Sequence, residues 1–115
     1  MATTTMIPRD RLARYFEDFT KHFLQGGGNE EVDVEVLSPD LGDQYIAEKT
    51  QLRGITYDPK ANSLELSLDS VDHRIDAPKE VWTIEENDGF VSTIEVVRKD
   101  STKDIVKIRR QASRR

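Results

Sequence analysis

The chain is expected to form an α+β domain, with one N-terminal amphipathic helix packed on a curled, mostly antiparallel sheet of six or seven strands. Three observations carry this expectation. Residues 8–24, PRDRLARYFEDFTKHFL, place apolar side chains at helical spacing. From Glu31 onward apolar and polar residues alternate with period two. The alternating runs are separated by short stretches of turn chemistry and never by a second helical pattern. So many strands rarely stay flat, and closure of the sheet into a small barrel is the open alternative.

In the helix, Leu12, Tyr15, Phe16, Phe19 and Phe23 fall on one face. Pro8 suits the first turn, where a missing N–H costs nothing. Asp10 near the start and Lys21 and His22 near the end complement the helix dipole. The glycines of GGGN, Gly26 to Asn29, follow a helix and precede a strand, which reads as a C-cap and hinge. A phosphate cradle would need a helix after the loop.

EVDVEVLS points Val32, Val34 and Val36 to one side and Glu31, Asp33 and Glu35 to the other. QYIAEKTQLRGITY reads as a long strand or a bent pair with Gly54 at the bend. DPKANS is a turn, and LELSLDS returns with Leu64, Leu66 and Leu68 inward. EVWTIEE and FVSTIEVVRK form a hairpin around Asn87-Asp88-Gly89. KDSTK turns the chain into DIVKIRR, the last strand.

With 115 residues, one core is expected: a flexible segment 1–7, a single domain 8–109 and a basic tail 110–115. The net charge of −5 is unevenly placed. Met1 to Asp104 hold 12 Lys/Arg against all 22 acidic residues, while Ile105 to Arg115 hold five bases and no acid. An acidic body repels phosphate backbones, so nucleic acid is not an expected partner except weakly through the tail. The sequence RRQAS gives Ser113 only a weak match to a basophilic kinase site. Absence of cysteine removes thiolate chemistry and Cys-type zinc sites, and two histidines make a structural metal unexpected. No cofactor is implied. No run has signal-peptide or membrane-span length, so the expected location is cytoplasmic, without a membrane partner.

SVDHRIDAPKEVW gathers Asp72, His73, Arg74 and Asp76 in five positions. On a strand, Val71, His73 and Ile75 share one face, and Asp72, Arg74 and Asp76 share the other. His73 is then turned away from both neighbouring aspartates, and Arg74 joins a solvated charge ladder. The inward parity changes between Leu68 and Val71, which places a bulge or tight turn near Asp69-Ser70 and raises His73 as a base or ligand contact at a pocket rim. A half-buried histidine satisfied by one hydrogen bond is the structural alternative. The acidic row Glu31, Asp33 and Glu35, joined by Glu65 and Asp69, could draw a cation but more commonly protects a sheet edge.

At DLGDQYIAE, LRGITYDPKANSLELSL and VDHRIDAPKEVW the chain resembles a family of short bacterial proteins described as a domain of unknown function. The resemblance runs from Arg9 to about Arg109. It implies a complete small domain and assigns no activity to any residue.

The chain contains no nucleophile elbow, P-loop, dinucleotide fingerprint or RNA-binding aromatic motif. The function expected is a non-catalytic interaction or binding module, binding another protein or itself as a homo-oligomer. Its candidate binding residues are Asp72, His73, Arg74, Trp82 and Tyr45. The alternative is a small ligand-binding protein or enzyme that uses His73 with a carboxylate from another strand.

Overall fold

The computed structural model describes residues 2–24, 30–69 and 71–109, with the side chains of Phe23 and Leu24 excluded. The expected hinge at Gly26–Asn29, the stripe position Phe23, Ser70 of the expected bulge, and the basic tail with Ser113 therefore lie outside the described residues.

Eight strands form one antiparallel sheet: β1 (Thr3–Met6), β2 (Glu31–Ser38), β3 (Gly42–Asp58), β4 (Ser63–Leu68), β5 (Asp72–Asp76), β6 (Pro78–Glu85), β7 (Val91–Arg98) and β8 (Lys103–Arg109). Their order is β1-β6-β7-β8-β2-β3-β4-β5. The expected count of six or seven is corrected by β1, which arises inside the segment read as a flexible terminus. Thr3, Thr4 and Thr5 favour extended backbone, and their register with Glu85, Ile84 and Thr83 docks them on β6.

The barrel alternative fails. Edge strands β1 and β5 do not pair, so the sheet stays open. It nevertheless folds over strongly. Only Ala77 separates β5 from β6, although these strands lie toward opposite ends of the sheet order. The corner is held by backbone: Ala77 N–H donates to Asn62 O, and Lys99 N–H donates to Ala77 O, both at 3.0 Å. Ala77 adopts the left-handed region, φ 54°, to make this turn.

The fold-over is built into β3, which runs unbroken for 17 residues. Its pairing with β2 is shifted between Ala47 and Thr50, where Lys49 has φ 51°. A second shift with β2 follows between Ala47 and Tyr45, and one against β4 falls between Leu52 and Gly54, at the expected bend. Gly54 also lets the helix approach closely, since a Cβ there would stand 3.3 Å from Thr20 Cγ2.

The helical segment begins as a 3-10 turn (Arg9–Arg11), continues as α1 (Leu12–Asp18) and widens into a π-turn (Phe19–Leu24). Leu12, Phe16 and Phe19 are buried, and Tyr15 packs beside them. Tyr15 and Phe16 meet edge-on with centroids 5.1 Å apart. Thr20 Oγ1 accepts from Ile55 N–H at 3.0 Å and donates to Ile55 O at 3.2 Å, pinning the π-turn to β3. The inner sheet face supplies the rest of the core, including Val32, Val34, Leu64, Leu66, Ile75, Val81, Ile94, Val96 and Val106.

Candidate functional site

His73 lies on the inner side of β5, with Ile75, as the alternation requires. Across the folded sheet its Nε2 stands 2.8 Å from Asp104 Oδ2 on β8. Asp104 is fully buried and also receives Arg98 of β7: Nε donates to Oδ1 and Nη2 to Oδ2, each at 2.7 Å. A carboxylate held by this guanidinium fork is ionised, so His73 Nε2 carries the proton and donates it. Burial pushes the Asp104 carboxyl up, but the bonds from Arg98 and His73 outweigh it and hold the group below the ordinary carboxylate range. The same bond to Asp104 raises the Arg98 guanidinium.

Asp104 and Arg98 were not singled out from sequence, yet a signal existed. Asp104 has the parity of buried Val106 and Ile108, and Arg98 that of buried Ile94 and Val96. Each is an ionisable residue closing an inward apolar stripe, which demands a buried counter-charge.

A dyad of this kind can orient an imidazole for proton transfer. The side chain of His73 is only 13% exposed, however, and that of Asp104 not at all. Cavities lined by described residues lie between the helix and β3, beside the Asn87–Gly89 turn, between β1 and the helix, and outside β3–β4 near Arg74. None of these has His73 in its lining. The His73–Asp104 bond joins the two folded halves of the sheet.

The other candidates face away from it. Asp72 and Arg74 are exposed on the outer side of β5, where Arg74 Nε donates to Asp76 Oδ1 at 2.8 Å. The acidic row does not converge on a cation. Arg109 pairs with Glu31 and Asp33, and Arg53 with Asp69. Among the described residues no group of three or more acids and histidines could hold a metal. His22 is exposed at the end of the helical segment.

Trp82 and Tyr45 share a different surface without touching. The register runs Met6–Trp82, Trp82–Glu95, Glu95–Ile105, Ile105–Glu35 and Glu35–Tyr45. Directly opposed residues point to the same side of a sheet, so these six form one cross-strand row on the outer face. Trp82 Nε1–H donates to Glu80 Oε1 at 3.1 Å on that face. Met6 and Tyr45 are 46% and 54% exposed at the row's two ends. Four strand steps separate Trp82 from Tyr45, roughly 19 Å. Ile84 and Val97 flank the row on the same face by their pairing parity.

No helix among the described residues is long and apolar enough to cross a membrane. No solved structure matches this chain. An uncharacterized protein of Aquifex aeolicus (strain VF5) is 37% identical over 107 residues, covering 92% of each chain. The model of a family of unknown function, DUF5335, matches residues 3–114. The stretch read as a small-domain resemblance and the fold-bearing strands both lie inside that match, and this chain belongs to the DUF5335 family.

Proposed function

We propose that the protein is a non-catalytic interaction module that binds a partner protein on the outer face of its sheet. The observation that carries this reading is the row from Met6 through Trp82 and Ile105 to Tyr45, apolar positions interleaved with Glu95 and Glu35. Tyr, Trp and Met side chains are enriched on recognition surfaces. The inner face is consumed by the core, and His73 is consumed by Asp104, which leaves the outer face as the broad unassigned surface.

The test compares partner recovery by the full chain, by Trp82→Ala/Tyr45→Ala and by His73→Gln. Retention by His73→Gln with loss in the double variant supports the reading. The opposite pattern would transfer the function to His73 and its carboxylate, as a ligand-binding or catalytic dyad.

A further inference from the structure

The two edges of the sheet are not equivalent. On β5 the outward residues are Asp72, Arg74 and Asp76, all exposed, and charge of this kind discourages strand addition. On β1 the sequence is Thr3-Thr4-Thr5-Met6, exposed throughout, with no charge, no proline and no bulge in its pairing to β6. Its other side has no strand partner among the described residues. β-Branched threonines are good cross-strand neighbours of one another.

Beside this edge runs a groove of about 510 Å³ whose lining includes Met6 on the strand and Arg11, Arg14, Tyr15 and Asp18 on the helix. Asp10, Arg11, Arg14 and Asp18 make no ion pair among the described residues. Two bases and two acids without an ion pair among the described residues are what a self-complementary contact needs. The chain as a whole carries a net charge of −5, which disfavours self-association, but the groove's two acids and two bases balance.

We propose that β1 is a dimerisation strand. Two copies pair β1 with β1 antiparallel across a two-fold axis, joining two eight-stranded sheets into one. A two-fold rotation reverses the helix, so Arg11 at its start approaches Asp18 of the second copy, and the pair recurs by symmetry. Thr4, on the outer face opposite Ile84, lies near the axis. Four residues of ladder are a short contact, and the charge pairs along the groove complete it. This surface meets the Trp82–Tyr45 row only at Met6, and the inference stands without that row's proposed partner.

The experiment is sedimentation of the full chain between about 1 and 100 µM, a range that brackets micromolar dissociation constants. A concentration-dependent monomer–dimer equilibrium is expected. Thr4→Lys sets two like charges near the axis and is expected to weaken the dimer by about tenfold or more. Arg11→Asp and Asp18→Arg each weaken it, and combining them restores it. Circular dichroism of each variant checks that the sheet is retained, and Thr4→Ser serves as a conservative control with full dimerisation. A chain that stays monomeric at the top concentration overturns the proposal. So does a dimer untouched by Thr4→Lys and the charge reversals.

Discussion

His73 Nε2 stands 2.8 Å from Asp104 Oδ2, although β5 and β8 are separated in the sheet by β2, β3 and β4. Four flat strand steps would span roughly 19 Å, so this hydrogen bond reports how far the sheet folds over. It also joins the short edge strand β5 to the centre of the sheet. Arg98 completes the cluster from β7.

Removing the Asp104 side chain leaves a partly buried guanidinium and an imidazole without their shared carboxylate. Asp104→Ala is expected to cost about 3–5 kcal/mol, since it strands a partly buried charge. Urea denaturation gives the number. His73→Gln, which can still donate to Asp104, is expected to cost less than Asp104→Ala. Equal losses would mean that His73 contributes more than its bond.

The depressed Asp104 carboxyl gives a pH signature. A carboxylate held low in the native state stabilises the fold above its unfolded value, and that contribution is lost as pH falls through the native value. Stability is therefore expected to drop as pH is lowered from about 4 toward about 2. Asp100, held low first by the Thr102 backbone N–H, acts in the same direction at the surface. The Asp104→Asn variant isolates the buried share: its midpoint against pH is expected to be flatter over that window than the parent's.

At the alkaline end the relevant group is Tyr15. Burial raises its hydroxyl, opposed by a hydrogen bond with Thr83 and assisted by Glu85. The native state favours the neutral phenol, so its contribution is complete below the unfolded value and is lost as pH rises through the native one. Tyr15→Phe is expected to reduce the loss of stability above about pH 10. Thermal midpoints from pH 8 upward measure it.

Phe16 is fully buried between Tyr15 and Phe19. Phe16→Ala is expected to cost about 3–5 kcal/mol, through lost transfer energy and a cavity between helix and sheet. An unchanged denaturation midpoint would refute the helix's place in the core.

Ala77 is the opposite case, a residue whose replacement should help. Its φ of 54° places a Cβ in a region that disfavours side chains. Ala77→Gly relieves that strain and is expected to stabilise the fold by about 0.5–1 kcal/mol net of the added unfolded-state entropy. Ala77→Val is expected to destabilise it. Calorimetry on the two variants decides the sign.

Much of the local architecture was legible because period and turn chemistry are local properties. The alternations became β2, β4, β6, β7 and β8, and Asp58-Pro59 and Asn87-Asp88-Gly89 occupy turns. Asp58 Oδ1 accepts from Lys60 N–H at 3.0 Å, a local bond at the start of the turn read in DPKANS. Even the split of Asp72–Asp76 into an inner His73 and an outer charged set followed from alternation alone.

β1 was not legible, because Thr3–Met6 has no alternation and becomes a strand only by completing the hydrogen bonds of β6. The partner of His73 was not legible either, although the inward parity of Asp104 and Arg98 marked them as needing one. The sequence by itself determined which residues face the core and where the chain turns, since side-chain direction and turn geometry are set within a few residues. Only the tertiary structure decided that His73 meets Asp104 and that Trp82 and Tyr45 share a row. Those meetings depend on strand order and on the curl of β3, which are fixed by the packing of all eight strands together around Phe16.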